Sequence, residues 1–330
     1  MPAPLALTMG DPGGVGPEIT LAGWRKLHAA GPTFFVIADP ALFETANITV
    51  IYRPDEAAPQ FATSLPVLPL DKTVNATPGV ASAANAGAVI ESIQRAVAFA
   101  VSGAASGVVT NPIQKSSLFD AGFKFPGHTE FLADLTSQTP MPNGRSRGPV
   151  MMLAGPALRT VPVTIHHSVR EAAAMLSSEM IISAGRIVAE ALTQDFGIAA
   201  PRLAISGLNP HAGESGALGA EDRDIIAPAV AALNAAGVQA RGPLPADTMF
   251  HAEARETYDA ALCMLHDQAL IPAKMLAFHE AVNVTLGLPI VRTSPDHGTA
   301  LDIAGKGVAC ADSLIAAINL AAAMAARRTA

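Results

Sequence analysis

The apolar positions of the chain fall into short runs that alternate with longer stretches rich in alanine. Between residues 83 and 102 proline is absent, and Val89, Ile93 and Val97 recur at the spacing of one helical face. This stretch is predicted to form an amphipathic helix, and helices are also predicted over 169–192, 221–236 and 313–327. The short runs predict buried strands at 4–9, 34–38, 107–110, 149–154, 160–165, 202–206, 260–265 and 281–285.

The alternation of strands and helices predicts the fold class. Strands that are each followed by a helix form crossover units, which are typical of a mainly parallel, twisted sheet in an α/β protein. The segment 139–148, rich in proline, glycine and arginine, is predicted to be a hinge or an exposed loop. A second lobe is expected to begin near this segment.

Composition narrows the class of protein. Of the 330 residues, 50% are hydrophobic and only 15% are charged, yet no apolar stretch approaches the ~20 residues that span a bilayer. A net charge of −7, with Lys and Arg scattered, argues against a nucleic-acid partner. The first eight residues lack the basic start of a signal peptide. Cys263 and Cys310 lie in apolar contexts and are predicted to be buried thiols in a reducing compartment, so a cytoplasmic globular protein of one large α/β domain or two lobes is expected.

A glycine-rich segment, 8–18, follows the first predicted strand. Glycine there allows either a tight turn or a close approach of backbone N–H groups to a ligand. The segment is not a P-loop, because no Gly-Lys-Ser/Thr follows, and Ile19 stands where a dinucleotide fingerprint has its third glycine. A structural turn and a ligand cradle both remain open on this evidence.

Three of the nine histidines, His166, His211 and His266, each follow an apolar strand at a turn. In an α/β sheet, ligands collect beyond the carboxyl ends of the strands. Three imidazoles there would suit a borderline divalent ion such as Zn²⁺, with positions left open for substrate. No short-range spacing requires such a site, and the adjacent His167 competes with His166, so solvated turn histidines remain the alternative.

Other candidate residues point to an anionic ligand. His128 and Thr129 lie at a predicted helix start, where Thr129 could equally be the N-cap. Lys274, Asn283 and Arg292 interrupt apolar segments and suit either an anionic ligand or structural ion pairs. The stretch 292–307 is predicted to be a long, ordered functional loop.

Seven motifs occur in order along the chain: TMGDPGGVGPE (8–18), NPIQK (111–115), FPGHTEF (125–131), LNPHAGE (208–214), GPLPADTMF (242–250), HDQ (266–268) and DHGTALDIAGKG (296–307). Through these motifs the chain resembles, along nearly its whole length, the 4-hydroxythreonine-4-phosphate dehydrogenase family of vitamin B6 biosynthesis. The resemblance implies a two-lobed α/β fold like that of isocitrate and isopropylmalate dehydrogenases, with mostly parallel sheets flanked by helices and the active site in the cleft between the lobes. It implies one lobe over 1–138 with 290–330, on the nucleotide side, and a metal and dimerisation lobe over 139–289. The motif at 296–307 is also similar to the nucleotide-binding loop of those dehydrogenases.

The same resemblance implies roles for individual residues. The divalent metal (Zn, Mg or Co) is expected on three histidines, the last of which reaches the active site of the neighbouring subunit in a homodimer. NAD(P) is expected on the last motif. By role, the implied residues are His166, His211 and His266 for the metal; His128, Thr129, Lys274, Asn283 and Arg292 for the substrate; Asp247, Asp267 and Lys274 for catalysis; and His297, Gly298 and Asp302 for the cofactor.

The resemblance implies NAD(P)- and metal-dependent oxidation of 4-phosphooxy-L-threonine to 2-amino-3-oxo-4-phosphooxybutanoate, which decarboxylates to 3-amino-2-oxopropyl phosphate. One departure concerns 164–168, which reads TIHHS where the family usually has Thr-Thr-His, an aliphatic residue and Pro. Related branches that act on 4-phospho-threonate or erythronate, or on aromatic cis-diol acids, therefore stay open as alternatives. A metal-dependent acyl- or phosphotransferase and a catalytically silent binding protein are the alternatives from other classes.

Overall fold

A computed structural model describes residues 2–43, 46–125 and 127–329. The chain forms two compact units, one of Met1–Pro140 with Leu288–Ala330 and one of Met141–Gly287. The strands are β1 (Leu5–Thr8), β2 (Phe34–Ile37), β3 (Ile48–Val50), β4 (Leu65–Leu68), β5 (Val108–Val109), β6 (Val150–Ala154), β7 (Arg159–Pro162), β8 (Arg202–Ser206), β9 (Gln239–Leu244), β10 (Ala260–Cys263), β11 (Val282–Leu286) and β12 (Arg292–Pro295). The α-helices are α1 (Gly16–Leu27), α2 (Ala57–Phe61), α3 (Ala86–Val101), α4 (Lys115–Asp120), α5 (His128–Leu135), α6 (Val169–Met175), α7 (Ser178–Gln194), α8 (Ala227–Ala235), α9 (Ala252–Arg255), α10 (His266–Ala277) and α11 (Asp312–Thr329).

The first unit contains a parallel sheet in the order β3-β4-β2-β1-β5-β12. Strands β1, β2, β4 and β12 are buried along their whole length, as expected of parallel strands covered on both faces. Phe34 packs edge-on against Phe61, and Phe35 packs in the same way against Phe99. The apolar faces of α1, α3 and α11 cover this core.

The second unit contains a mixed sheet in the order β11-β6-β7-β10-β8-β9. Strands β7, β10, β8 and β9 are parallel, whereas β6 runs antiparallel to both of its neighbours. Helices α7 and α8 approach closely because Gly185 faces Leu233, where a Cβ would lie 2.8 Å from a leucine methyl. Four adjacent parallel strands therefore present their carboxyl ends at one edge of this unit.

The predicted α/β class with mostly parallel, helix-flanked strands is confirmed, but several local predictions are wrong. The stretch 169–192 is two helices, α6 and α7, which bend by 91° where the backbone of Leu176 and Ser177 is not helical. The hydroxyl of Ser177 then caps α7 by accepting the amide of Met180. Residues 292–295 form a buried strand rather than a loop. The predicted helix over 221–236 is confirmed, and its first part is a π-helical turn at Asp222–Ile226 that leads into α8.

The two cysteines differ in environment. Cys263 is buried, as predicted, but Cys310 is exposed, because it lies in the connection that precedes α11 and its neighbour Ala311 takes the buried position instead. In the part of the chain that the structure describes, no single helix has the length and apolar character to cross a membrane. Helices α6 and α7 meet those criteria when taken together, with the 91° bend between them.

The segment 139–148 is more firmly fixed than a hinge or an exposed loop. Arg145 is buried, and its guanidinium donates two hydrogen bonds to the buried carboxylate of Asp195, at 3.0 and 2.9 Å. Ser146 also donates, from its backbone N–H and its hydroxyl, to Glu190. These bonds hold the beginning of the second unit against α7.

Candidate active site: a histidine edge and a buried cationic pocket

The second unit carries three histidines beyond the carboxyl ends of adjacent parallel strands. His166 follows β7, His211 follows β8, and His266 begins α10 directly after β10. Because β7 and β8 both pair with β10, the three chain segments leave the sheet side by side. This edge, defined by His166, His211 and His266, is called the histidine edge below.

Two members of the histidine edge face each other. The ring centroids of His166 and His266 are 6.3 Å apart and the rings are tilted by 39°. The Nδ1 of His266 lies 2.7 Å from Oδ1 of Asp267, which fixes the ring and leaves Nε2 as its outward nitrogen. Carboxylate–histidine pairs of this kind orient metal-ligating imidazoles, so the donor chemistry here fits a borderline divalent ion.

His211 occupies an unusual turn. The backbone takes left-handed φ angles of 52, 52, 77, 43 and 58° at His211, Ala212, Gly213, Glu214 and Ser215. Each non-glycine residue in that region costs about 1–2 kcal/mol, and such strain concentrates at functional sites.

Among the described residues of one chain, no three His, Cys, Asp or Glu side chains are gathered into a group that could hold a metal ion.

The other candidate residues of the second unit lie on three elements. Lys274 is half-buried in α10, and Asp267 is 80% exposed at the start of the same helix. Asn283 is the second residue of β11, and its Oδ1 is buried without a hydrogen-bond partner among the described residues. Asp247 is exposed in the short turn Ala246–Thr248.

In the first unit the buried Arg292 lies near the half-buried His128, and the exposed Lys115 is close enough for its charge to act on the same imidazole; these three residues are called the cationic pocket below. Arg292, 3% exposed, donates from Nη2 to the hydroxyl of Thr110 at 2.6 Å. Burial lowers the pKa of Arg292 to about 10, so its guanidinium stays charged at neutral pH. The imidazole Nε2 of His128 is buried and has no hydrogen-bond partner among the described residues.

The same pocket keeps His128 neutral. Burial, and then the positive charges of Arg292 and Lys115, hold the pKa of the His128 imidazole well below its usual value. His128 is the first residue of α5, and Gly127 is the N-cap, so the prediction that Thr129 caps this helix is wrong. Pro126 of the same motif lies outside the described residues. A buried cation beside a neutral imidazole suits a ligand that carries both an anionic and a hydrogen-bonding group.

The depressed pKa of His128 predicts how stability depends on pH. Below about pH 6.5 the unfolded chain protonates this imidazole and the folded chain does not, so the free energy of unfolding falls as the pH falls. This group contributes a slope of at most about 1.4 kcal/mol per pH unit. When urea unfolding is measured as the pH is lowered from about 7.5 to about 5.5, the free energy of unfolding should fall less steeply for His128→Gln than for the wild type. Thr129→Ala, which removes no titrating group, should keep the wild-type slope; equal slopes for H128Q and wild type would refute the assignment.

The glycine-rich segment packs against its own chain. A Cβ at Gly13 would lie 2.2 Å from the carbonyl oxygen of Val80, and one at Gly14 would lie 2.8 Å from that of Thr299. The amide of Gly79 donates to the carbonyl of Gly13 at 2.8 Å. Of the two interpretations left open by sequence, this packing supports the structural turn.

The loop 297–307 is held by that segment. Val15 donates its amide to the carbonyl of Thr299 at 2.9 Å, and the Thr299 hydroxyl donates to Oε1 of Gln114 at 3.0 Å. The amide of Gly305 donates to the carboxylate of Glu18. Within this anchored loop, the candidate cofactor residues His297, Gly298 and Asp302 are exposed.

Comparison with known proteins places the chain in a family. A family model described as pyridoxal phosphate biosynthetic protein PdxA matches residues 30–321. The 4-hydroxythreonine-4-phosphate dehydrogenase of Caulobacter vibrioides is 57% identical over 98% of both chains. The crystal structure of 4-hydroxythreonine-4-phosphate dehydrogenase from Klebsiella pneumoniae is 36% identical, with a TM-score of 0.85 over 98% of both chains. A terephthalate 1,2-cis-dihydrodiol dehydrogenase from Burkholderia xenovorans is 27% identical, with a TM-score of 0.66 over 97% of this chain and 98% of that one. The chain therefore belongs to the pyridoxal phosphate biosynthetic protein PdxA family.

Proposed function

We propose that the chain is an NAD(P)- and divalent-metal-dependent 4-hydroxythreonine-4-phosphate dehydrogenase. It oxidises the C3 hydroxyl of 4-phosphooxy-L-threonine, and the resulting 2-amino-3-oxo-4-phosphooxybutanoate loses CO₂ to give 3-amino-2-oxopropyl phosphate. The observation that carries this proposal is the histidine edge. The chain that contains this edge is similar, over 98% of its length, to a 4-hydroxythreonine-4-phosphate dehydrogenase.

The histidine edge is the proposed metal site. When bound, the ion would act as a Lewis acid on the substrate hydroxyl, and the nicotinamide would accept the hydride. His166, His211 and His266 supply imidazole donors, and Asp267 fixes the His266 ring through Nδ1. Imidazole donors favour Zn²⁺ or Co²⁺ over Mg²⁺, which prefers oxygen ligands.

The cationic pocket is the proposed anchor for an anionic group of the substrate. Arg292 offers a fixed, charged guanidinium, and the neutral His128 can donate or accept one hydrogen bond without adding charge. Thr129 is a further proposed ligand in the first turn of α5. In the second unit, Lys274 and Asn283 are proposed substrate ligands, and the buried Oδ1 of Asn283 would accept a hydrogen bond from a substrate amino or hydroxyl group.

The remaining roles concern proton transfer and the cofactor. Asp247, Asp267 and Lys274 are the proposed proton-transfer groups. Asp247 and Asp267 are exposed and Lys274 is half-buried, so the two carboxylates are in contact with solvent. His297, Gly298 and Asp302 are the proposed NAD(P) ligands. This role is supported by their exposed positions on a loop whose backbone is held by hydrogen bonds. A loop that is already ordered loses less conformational entropy when it binds the cofactor.

The test is a substrate panel. The metal-loaded chain would be assayed for NAD⁺ and NADP⁺ reduction with 4-phosphooxy-L-threonine, 4-phospho-threonate, 4-phospho-erythronate and an aromatic cis-diol acid. The proposal predicts the highest kcat/KM for 4-phosphooxy-L-threonine. Preference for another substrate would assign the chain to a related branch, and no reduction with any of them would reject a dehydrogenase.

We also propose that the chain works as a homodimer in which two copies complete the active site. Helix α10 starts at His266 and continues into an apolar face that is exposed in the single chain, with Ile271 at 61%, Met275 at 82% and Phe278 at 71% exposure. An exposed apolar patch of this kind marks a protein interface. The apolar face lies on the same helix as His266, a proposed metal ligand. If a second copy of the chain covers this face, the dimer interface lies beside the histidine edge.

The α10 face makes a prediction about assembly. Phe278→Asp places a charge on the proposed interface, so sedimentation should show a shift from dimer to monomer, with loss of turnover at the same protein concentration. Tyr52→Asp is the matched control, since Tyr52 is 77% exposed and lies in the other unit, and it should remain dimeric. A wild-type chain that sediments as a monomer at all concentrations would contradict the dimer.

The two thiols support the proposed cytoplasmic location. Burial raises the pKa of the Cys263 thiol to about 12, so this thiol is unreactive. Both cysteines are free. A chain that needs no disulfide suits a reducing compartment.

A further inference from the structure

The turn that carries His211 requires an external support. Four non-glycine residues, at 211, 212, 214 and 215, hold left-handed φ angles in succession. L-residues visit this region as single residues and do not propagate it, because Cβ approaches the following carbonyl oxygen. A turn with this much strain persists only where the surrounding structure over-determines it.

A buried carboxylate provides that support. Asp222, 2% exposed, accepts the amide of Leu208 on Oδ1 at 2.8 Å. Its Oδ2 accepts the amide of Asn209 at 3.2 Å and the side-chain Nδ2 of Asn209 at 2.9 Å. Three donors on two consecutive residues fix the chain where it enters the turn, and charge-assisted bonds of this type are about twice as strong as neutral ones.

The carboxylate also fills the inside of the loop. A Cβ at Gly207 would lie 2.6 Å from Oδ1 of Asp222, and one at Gly213 would lie 3.0 Å from Oδ2. Glycine at these two positions therefore lets the loop close around the carboxylate. Asp222 itself is the first residue of the π-helical turn that leads into α8, so its position is set by a regular element.

We propose that Asp222 is a positioning residue, whose carboxylate holds the left-handed turn 211–215 and so presents the imidazole of His211 to a divalent ion. This inference rests on the metal-ligand role proposed above for His211. Without the carboxylate, the turn would relax toward right-handed or extended backbone and the imidazole would lose its fixed direction. Groups that orient a metal ligand in this way typically change metal affinity by about 10- to 100-fold when they are removed.

The test uses Asp222→Asn, which keeps the size of the side chain but replaces one acceptor oxygen with an NH₂ group. Titration of the metal-free chain with Co²⁺, followed by calorimetry, should show a Kd raised about 10- to 100-fold. Hydrogen exchange in the metal-free chain should also be faster over 208–216. Asn209→Ala removes one side-chain donor to the Asp222 carboxylate, together with the bond from the same Nδ2 to Glu221, and leaves both backbone donors in place. It should give a smaller change in the same direction, and it tests the proposal if D222N does not fold.

Asp259→Asn is the matched control. Asp259 lies in the same unit and accepts from the backbone amide, Nε and Nη2 of Arg202 at 2.8, 3.1 and 3.1 Å, away from the turn. D259N should lower Tm while Co²⁺ affinity and exchange over 208–216 stay at wild-type values. Wild-type exchange and affinity in D222N, or equal losses in D259N, would overturn the role of Asp222. A wild-type chain that binds no Co²⁺ would instead contradict the metal site of the proposed function, while the exchange rates still decide whether Asp222 holds the turn.

Discussion

Replacement of Arg292 with methionine is expected to lower kcat/KM for 4-phosphooxy-L-threonine by about 100- to 1000-fold. The guanidinium is buried, fixed by Thr110 and charged at neutral pH, so it would form charge-assisted bonds to an anionic substrate group in a site with little solvent screening. Removal of one partner from a buried charge pair costs about 2–5 kcal/mol. Steady-state kinetics should show the effect mainly in KM for this substrate, with KM for NAD(P)⁺ close to the wild-type value.

Two variants accompany this substitution. Arg292→Lys keeps the charge but loses the planar fork, so it should recover only part of the activity. Arg95→Met is the control, since Arg95 lies in the same unit, is 29% exposed and is bonded to Glu91 and to the carbonyl of Pro69. An R292M enzyme with wild-type kcat/KM would show that the cationic pocket does not bind substrate.

Replacement of Arg145 with alanine is expected to lower the free energy of unfolding by about 3–5 kcal/mol. The change leaves the carboxylate of Asp195, which is 0% exposed, without the guanidinium that donates to both of its oxygens. Removing one member of a buried ion pair lowers the free energy of unfolding because the charge of the other member stays buried without its counter-charge. Replacing both members with apolar residues removes both charges. Urea unfolding measures the loss.

The double variant R145M/D195L separates charge from packing. It should recover most of the stability that R145A loses, because the double variant removes both charges of this buried pair. The exposed pair of Arg53 and Asp55 provides the control, and Arg53→Ala should change stability by less than about 1 kcal/mol. An R145A loss as small as that of R53A would contradict the view that the segment 139–148 is anchored by this ion pair.

The parts of the fold that follow from local pattern are predictable from sequence. Alternating apolar runs and helical stretches indicate a parallel sheet, and turn residues after those runs indicate where its carboxyl edge lies. The pattern of strands and turns is therefore enough to assign His166, His211 and His266 to one edge. Strand β12 is not predictable in this way, because the run 292–295 is polar and short, and its burial depends on pairing with β5 and on the bond from Thr293 to the carbonyl of Ala317 in α11.

The local geometry of the site is less predictable because distant residues impose it. No propensity indicates a left-handed turn at 211–215, and the turn depends on Asp222, which is buried by the packing of α8. The lowered pKa of His128 likewise depends on its burial in the fold and then on the charge of Arg292, 164 positions away in the chain. Acidic residues near a helix start are common, so the sequence contains no signal that distinguishes Asp222 from Glu221 or Asp224.

The most direct test of the proposed activity identifies the products. The purified chain would be incubated with Co²⁺ or Zn²⁺, NAD(P)⁺ and 4-phosphooxy-L-threonine, while NAD(P)H formation is followed by absorbance and the phosphorylated product by mass spectrometry. We expect one NAD(P)H for each substrate consumed, with 3-amino-2-oxopropyl phosphate and CO₂ as products, and no turnover in His211→Ala. Unchanged substrate and no NAD(P)H in the metal-loaded wild type, or full activity in H211A, would contradict the proposed function.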